Sequence, residues 1–125
     1  MNDASHRIAT SAVEPAVVWQ TRTARARNAR EAALRSVEAH LPRAVALARQ
    51  AGCTEGWLTG SFARGTPSPE SDVDLLVRDL APEQRSDLVD ALEHLFRRPV
   101  DLAEIERIAP ERLGLALHGA RRLFP

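Results

Sequence analysis

The fold class that this sequence predicts is a small α/β domain with a mixed sheet, and three observations predict it. Short apolar runs of strand length recur around residues 57, 75 and 102. Segments with helical periodicity lie between or beside them, and prolines and glycines mark most of the joins. The length, 125 residues, suits one domain with a real core and leaves no room for two ordinary ones.

Residues 1–22 mix small, polar and apolar side chains with no clear period, and are expected to form a flexible arm ahead of a domain spanning 23–125. Within the arm, "VVW" (17–19) is a candidate docking point. From about 23 to 51 the spacing of Leu34, Val37, Leu41, Val45 and Ala48 predicts a helix with one apolar face. Pro42 should kink it, or divide it in two near His40–Pro42, and Gly52 should close it.

A first strand is expected at 55–59 ("EGWLT"), followed by a helical turn in "SFARG" and a loop in "TPSPES". "DVDLLV" (72–77) alternates as a strand does, with Val73, Leu75 and Val77 on one side and Asp72, Asp74 and Leu76 on the other. Pro82 opens a helix to about 96 that buries Leu88, Ala91, Leu92 and Leu95. A third strand follows in "PVDLAEI" (99–105), where Asp101, Ala103 and Ile105 share a side. Pro110 begins a last helix to about 122, held down by Leu113, Leu117 and Phe124.

Strands two and three flank a helix and should run parallel through a right-handed crossover. Strands one and two are joined by only a dozen residues and should be antiparallel. The expected architecture is therefore a small mixed three-stranded sheet backed by helices.

Composition excludes several classes of protein. No apolar run approaches the roughly 18–20 residues of a membrane span, and "MNDASHRIATS" lacks the apolar core of a signal peptide, so a cytoplasmic location is expected. Cys53 is the single cysteine and is expected to be a small buried side chain; it rules out an internal disulfide. His6, His40, His94 and His118 show no metal-ligand spacing.

The net charge of zero hides an asymmetry: seven arginines against Glu31 and Glu38 over 22–49, and twelve acids against five arginines over 50–106. The arginines of 22–49 do not share one helical face and few aromatics accompany them, so nucleic-acid binding is not indicated. There is no lysine, so any cation that meets a phosphate must be arginine. There is also no tyrosine.

The predicted topology gathers the end of strand one and the starts of strands two and three at one end of the sheet. Asp72 and Asp74 would lie about 7 Å apart along one face, and Asp101 could approach from the next strand. Three converging carboxylates repel one another unless a cation is present. Oxygen donors of this kind suit Mg²⁺ or Mn²⁺, with water and phosphate oxygens completing the shell. Gly60 allows close backbone approach, and Ser61 offers a hydroxyl and an N–H to phosphate oxygens. Arg64 is a candidate phosphate contact or a brace for the acidic loop. Together these residues describe a metal-assisted phosphoryl or nucleotidyl transfer site.

Gly60-Ser61, ten residues, then Asp72-x-Asp74 resembles the bipartite signature of the minimal nucleotidyltransferases, relatives of polymerase β. "GSFARG", "SDVDLLV" and "PVDL" are similar to that family too, and the resemblance runs from about residue 30 to 123. It implies a polymerase-β-like nucleotidyltransferase fold. It also implies two divalent ions on Asp72 and Asp74, a third carboxylate at Asp101 that ligates metal and helps deprotonate the acceptor, and ATP phosphates gripped by Gly60 and Ser61. Small single-domain members are typically antitoxins paired with a HEPN ribonuclease toxin, and the reaction so implied is transfer of AMP to a tyrosine of that toxin. Stoichiometric neutralisation without catalysis, and transfer to a small molecule or RNA, remain open alternatives.

Overall fold

The computed structural model describes residues 2–125, with side chains described from residue 21 onward. The arm expected over 1–22 falls, apart from its last two residues, on positions whose side chains lie outside that description. Helix α1 (Asn2–Gln50) leads into strand β1 (Glu55–Thr59), the short helix α2 (Gly60–Arg64) and strand β2 (Val73–Arg78). After a 3₁₀ turn at Pro82–Gln84 come α3 (Arg85–Phe96), β3 (Val100–Glu104), a second 3₁₀ turn, α4 (Pro110–Leu117) and β4 (Arg121–Phe124).

The sheet has four strands in the order β3-β2-β1-β4, which corrects the three-stranded expectation. β1 and β2 are antiparallel and β2 and β3 parallel, as their connections require. The added strand is β4, antiparallel to β1. Its first two residues, Arg121 and Arg122, fall within the helix expected to run to about 122, which instead stops at Leu117. The physical reason lies in β1. Gly56 has no side chain, and Phe124 fills that space so closely that a β-carbon on Gly56 would overlap the ring. The pairing buries Phe124 to 3% exposure. Arg121 adds a two-pronged ion pair to Glu38 of α1, at 2.8 Å for each nitrogen–oxygen contact. Leu113 and Leu117, expected to hold the last helix down, are only half-buried, and α4 has no buried residue.

The core lies between the sheet and helices α1 and α3. From α1 it takes Ala33, Val37, Leu41, Ala44 and Ala48, spaced four, four, three and four residues apart, which is one stripe of a helix. The sheet contributes Leu58, Val73, Leu75, Val77 and Leu102, and α3 contributes Leu88, Leu92 and Phe96. Each buried valine, leucine or phenylalanine among them stabilises the fold by about 1.5–3 kcal/mol relative to exposure.

Of the two outcomes expected at Pro42, a kink or a division, the division does not occur: one helix runs to Gln50. A proline costs the helix one hydrogen bond and crowds the preceding turn. Here Leu41 and Ala44 are buried on either side of it, so packing holds the helix together where local preference would break it.

The free side of β3 is closed by α3. Glu93 accepts the Val100 N–H at 3.0 Å, and the Arg85 guanidinium donates to the Leu102 carbonyl at 2.6 Å. Among the described residues no helix is long and apolar enough to cross a membrane.

Candidate nucleotidyl-transfer site

Two neighbouring strands and one turn build the site. In the β2–β3 register Asp74 stands beside Asp101, and in the β1–β2 register it stands opposite Thr59. Parallel partners in register project to the same face of a sheet, so the carboxylates of Asp74 and Asp101 share a face. The other face of this row is core: Val73 and Leu75, flanking Asp74, are buried. Asp72 lies just before β2 and is exposed, whereas Asp74 is half-buried and Asp101 exposed.

The chain leaves β1 at Thr59 and turns at once into α2. Gly60 makes this possible by adopting φ 69°, a conformation that favours glycine. It also lies so near Asp74 that a β-carbon would overlap the carboxylate oxygen Oδ2. The backbone of the Gly-Ser turn therefore lies directly against the central carboxylate. Ser61 follows, half-buried, and its carbonyl accepts the Thr66 N–H at 2.9 Å. Phe62 is the buried anchor of α2, and Arg64 is exposed at the helix's end.

Electrostatics single out Asp74. Burial raises its pKa above the ordinary aspartate value, the negative charges of Asp101 and then Asp72 raise it further, and Arg64 opposes them. The four charged residues picked from sequence are thus electrostatically coupled around Asp74. A divalent cation would relieve the repulsion that burial and two like charges impose on it.

Among the described residues, no group of three or more His, Cys, Asp or Glu side chains is close enough to hold a metal ion unaided. The donor set nonetheless fits Mg²⁺, which is usually held by one or two carboxylates plus substrate phosphates and keeps several waters.

Sequence reasoning missed Arg98. Its Nη1 donates to the carbonyls of Pro69 at 3.3 Å and Ser71 at 2.9 Å, and its guanidinium lies 5.1 Å from the centre of the Phe62 ring. Nothing local signals this, because the residues that it touches lie 27 or more positions away. Only the parallel pairing of β2 with β3 brings the start of one strand beside the start of the other.

A four-stranded mixed sheet carrying a glycine-serine turn against paired aspartates defines a nucleotidyltransferase type of site. The family model of the nucleotidyltransferase domain matches residues 46–118, more than half of the chain, and the chain belongs to this family. A solved structure described as a minimal nucleotidyltransferase is similar at 28% identity and TM-score 0.65, over 70% of this chain and 93% of that one. A toxin–antitoxin structure with AMP-PNP shares the fold at 21% identity and TM-score 0.60, over 67% and 72%. A structure of the tri-AMPylated Shewanella oneidensis HEPN toxin in complex with MNT antitoxin matches at 17% identity and TM-score 0.55, over 70% and 71%. No curated protein matches the chain.

Proposed function

We propose that this chain is an antitoxin-type nucleotidyltransferase that moves AMP from ATP to a hydroxyl group, a tyrosine's, on a HEPN-type toxin partner. The observation that carries the reading is the contact of the Gly60 backbone with the Asp74 carboxylate, which joins the phosphate-gripping turn to the acidic cluster. Two of the similar structures are toxin–antitoxin complexes, one with AMP-PNP and one with an AMPylated HEPN toxin. The chain contains no tyrosine, so a tyrosine acceptor must sit on another chain.

Asp72 and Asp74 would hold the divalent ions, with Asp101 as a third ligand. Mg²⁺ bound there, or Mn²⁺ in its place, would neutralise the triphosphate and the charge that develops on it. Ser61 would donate its hydroxyl and N–H to the terminal phosphates while Gly60 lets them approach the backbone. Arg64, facing the same cluster, would add a cation to the phosphate side. Asp101 would accept the proton of the acceptor hydroxyl. The freed oxygen attacks the α-phosphorus in line, an O–P bond forms, and the bond to the β-phosphate oxygen breaks to release pyrophosphate.

Mixing the chain with its partner, ATP and Mg²⁺ should add an AMP mass to the partner. The double substitution Asp72→Ala/Asp74→Ala should reduce this at least a hundredfold. An unmodified partner that the doubly substituted chain still neutralises would instead establish inhibition by binding alone.

A further inference from the structure

The segment between α2 and β2 decides whether Asp72 faces the Gly-Ser turn, yet it contains no regular structure. It is shaped in two ways. Internally, the Ser68 N–H donates to Ser71 Oγ at 2.8 Å, and the Ser71 N–H returns to the Ser68 carbonyl at 3.1 Å. Externally, Arg98 takes the two carbonyls at 69 and 71, the second of them one residue before Asp72. The same guanidinium lies over Phe62, one residue after Ser61. One side chain therefore touches both halves of the site, the turn that meets phosphate and the loop that presents a carboxylate.

Its own backbone is well fixed. Arg98 precedes Pro99, which restricts it to extended conformations. The Pro99 carbonyl accepts the Val73 N–H at 3.0 Å, locking this corner to the start of β2.

We propose that Arg98 is a positioning residue of the nucleotidyl-transfer site, setting the Asp72 loop against the Ser61 turn by bonding the first and stacking on the second. The inference rests on the function proposed above but concerns how the site is held rather than what accepts the nucleotide. Loss of a residue that orients metal ligands typically lowers metal affinity or activity by about 10–100-fold. Lysine retains a charge that can stack and donate, while glutamine donates without the charge.

The test uses the full chain with Mn²⁺ and ATP, measuring affinity by calorimetry and loop order by amide hydrogen exchange. Arg98→Ala should bind Mn²⁺–ATP about tenfold or more weakly. The amides of Ser68 and of residues 70–73 should exchange faster in it, while those of Leu58 and Leu75 keep their protection. Arg98→Lys should recover most of the affinity, and Arg98→Gln less. Wild-type affinity in Arg98→Ala would overturn the proposal, and so would a loss of protection shared equally by Leu58 and Leu75. If Arg98→Ala does not fold, Lys and Gln variants both binding as wild type overturn it, and the order wild type, Lys, Gln supports it. A wild-type chain that binds Mn²⁺–ATP but modifies no partner sinks the proposed reaction and leaves the Arg98 comparison decisive. A wild-type chain with no Mn²⁺–ATP binding overturns both.

Discussion

Asp74 holds its charge against burial and two like neighbours, and that makes it a source of instability in the metal-free protein. Its pKa is higher in the folded chain than unfolded, so the native state binds the proton more readily. The destabilisation is therefore present at neutral pH and disappears as pH falls below the ordinary value of 3.8. Asp74→Asn should raise the melting temperature in EDTA at pH 7 and leave it nearly unchanged at pH 3, while abolishing transfer. Thermal unfolding at the two pH values checks this, and an equal effect at both would refute it. At this scale much was legible in sequence. Gly60, Ser61, Asp72, Asp74 and Asp101 stand out through residue type and spacing, and the placement of Asp74 beside Asp101 follows from strand pairing. Arg98 was not legible, because its hydrogen-bond partners are backbone carbonyls, which carry no residue identity, and the Phe62 ring beneath it is distant in sequence.

Among the elements, the strands are legible where alternation runs for five or six residues and illegible where it does not. β2 was anticipated to within a residue, and β3 lay wholly inside its expected span. β4 has four residues, two of them arginines, and follows a helical stretch without an apolar alternation to mark it. Its strand character comes from Gly56, 65 positions or more upstream, which no local window contains. Gly56→Ala should displace Phe124, and overpacking of this kind costs about 1–3 kcal/mol. Urea denaturation should show the lower midpoint, and Arg121–Phe124 amides should lose exchange protection before those of β2. α1 illustrates the opposite case: propensity argued for a kink or a break at Pro42, and with its neighbours buried the helix does not break.

Over the whole molecule, the pair Glu38–Arg121 joins the long helix to the outer strand across 83 residues. Arg121's hydrogen bonds hold the Glu38 carboxyl below its ordinary range. A lowered carboxylate contributes stability above its unfolded pKa and loses it as pH falls through the folded value. Both side chains are more than half exposed, so the contribution is about 0.5 kcal/mol. Glu38→Gln should lower the unfolding free energy from urea denaturation by that amount at pH 7, by less as pH falls, and by less in high salt. The α/β class, the mixed pairing of the first three strands and the location of the site at one end of them were all deducible from connection lengths. The final strand was not, since it depends on contacts between distant parts of the chain.

Contacts closer in sequence place a pair of α3 side chains on β3. Unpaired strand edges are templates on which other chains can polymerise. With Arg85 on the Leu102 carbonyl and Glu93 on the Val100 amide, an incoming strand must first evict both. The helix that covers the sheet's face thus also guards its flank, and sheet-to-sheet fibre growth is opposed on that side by two ordinary charged residues.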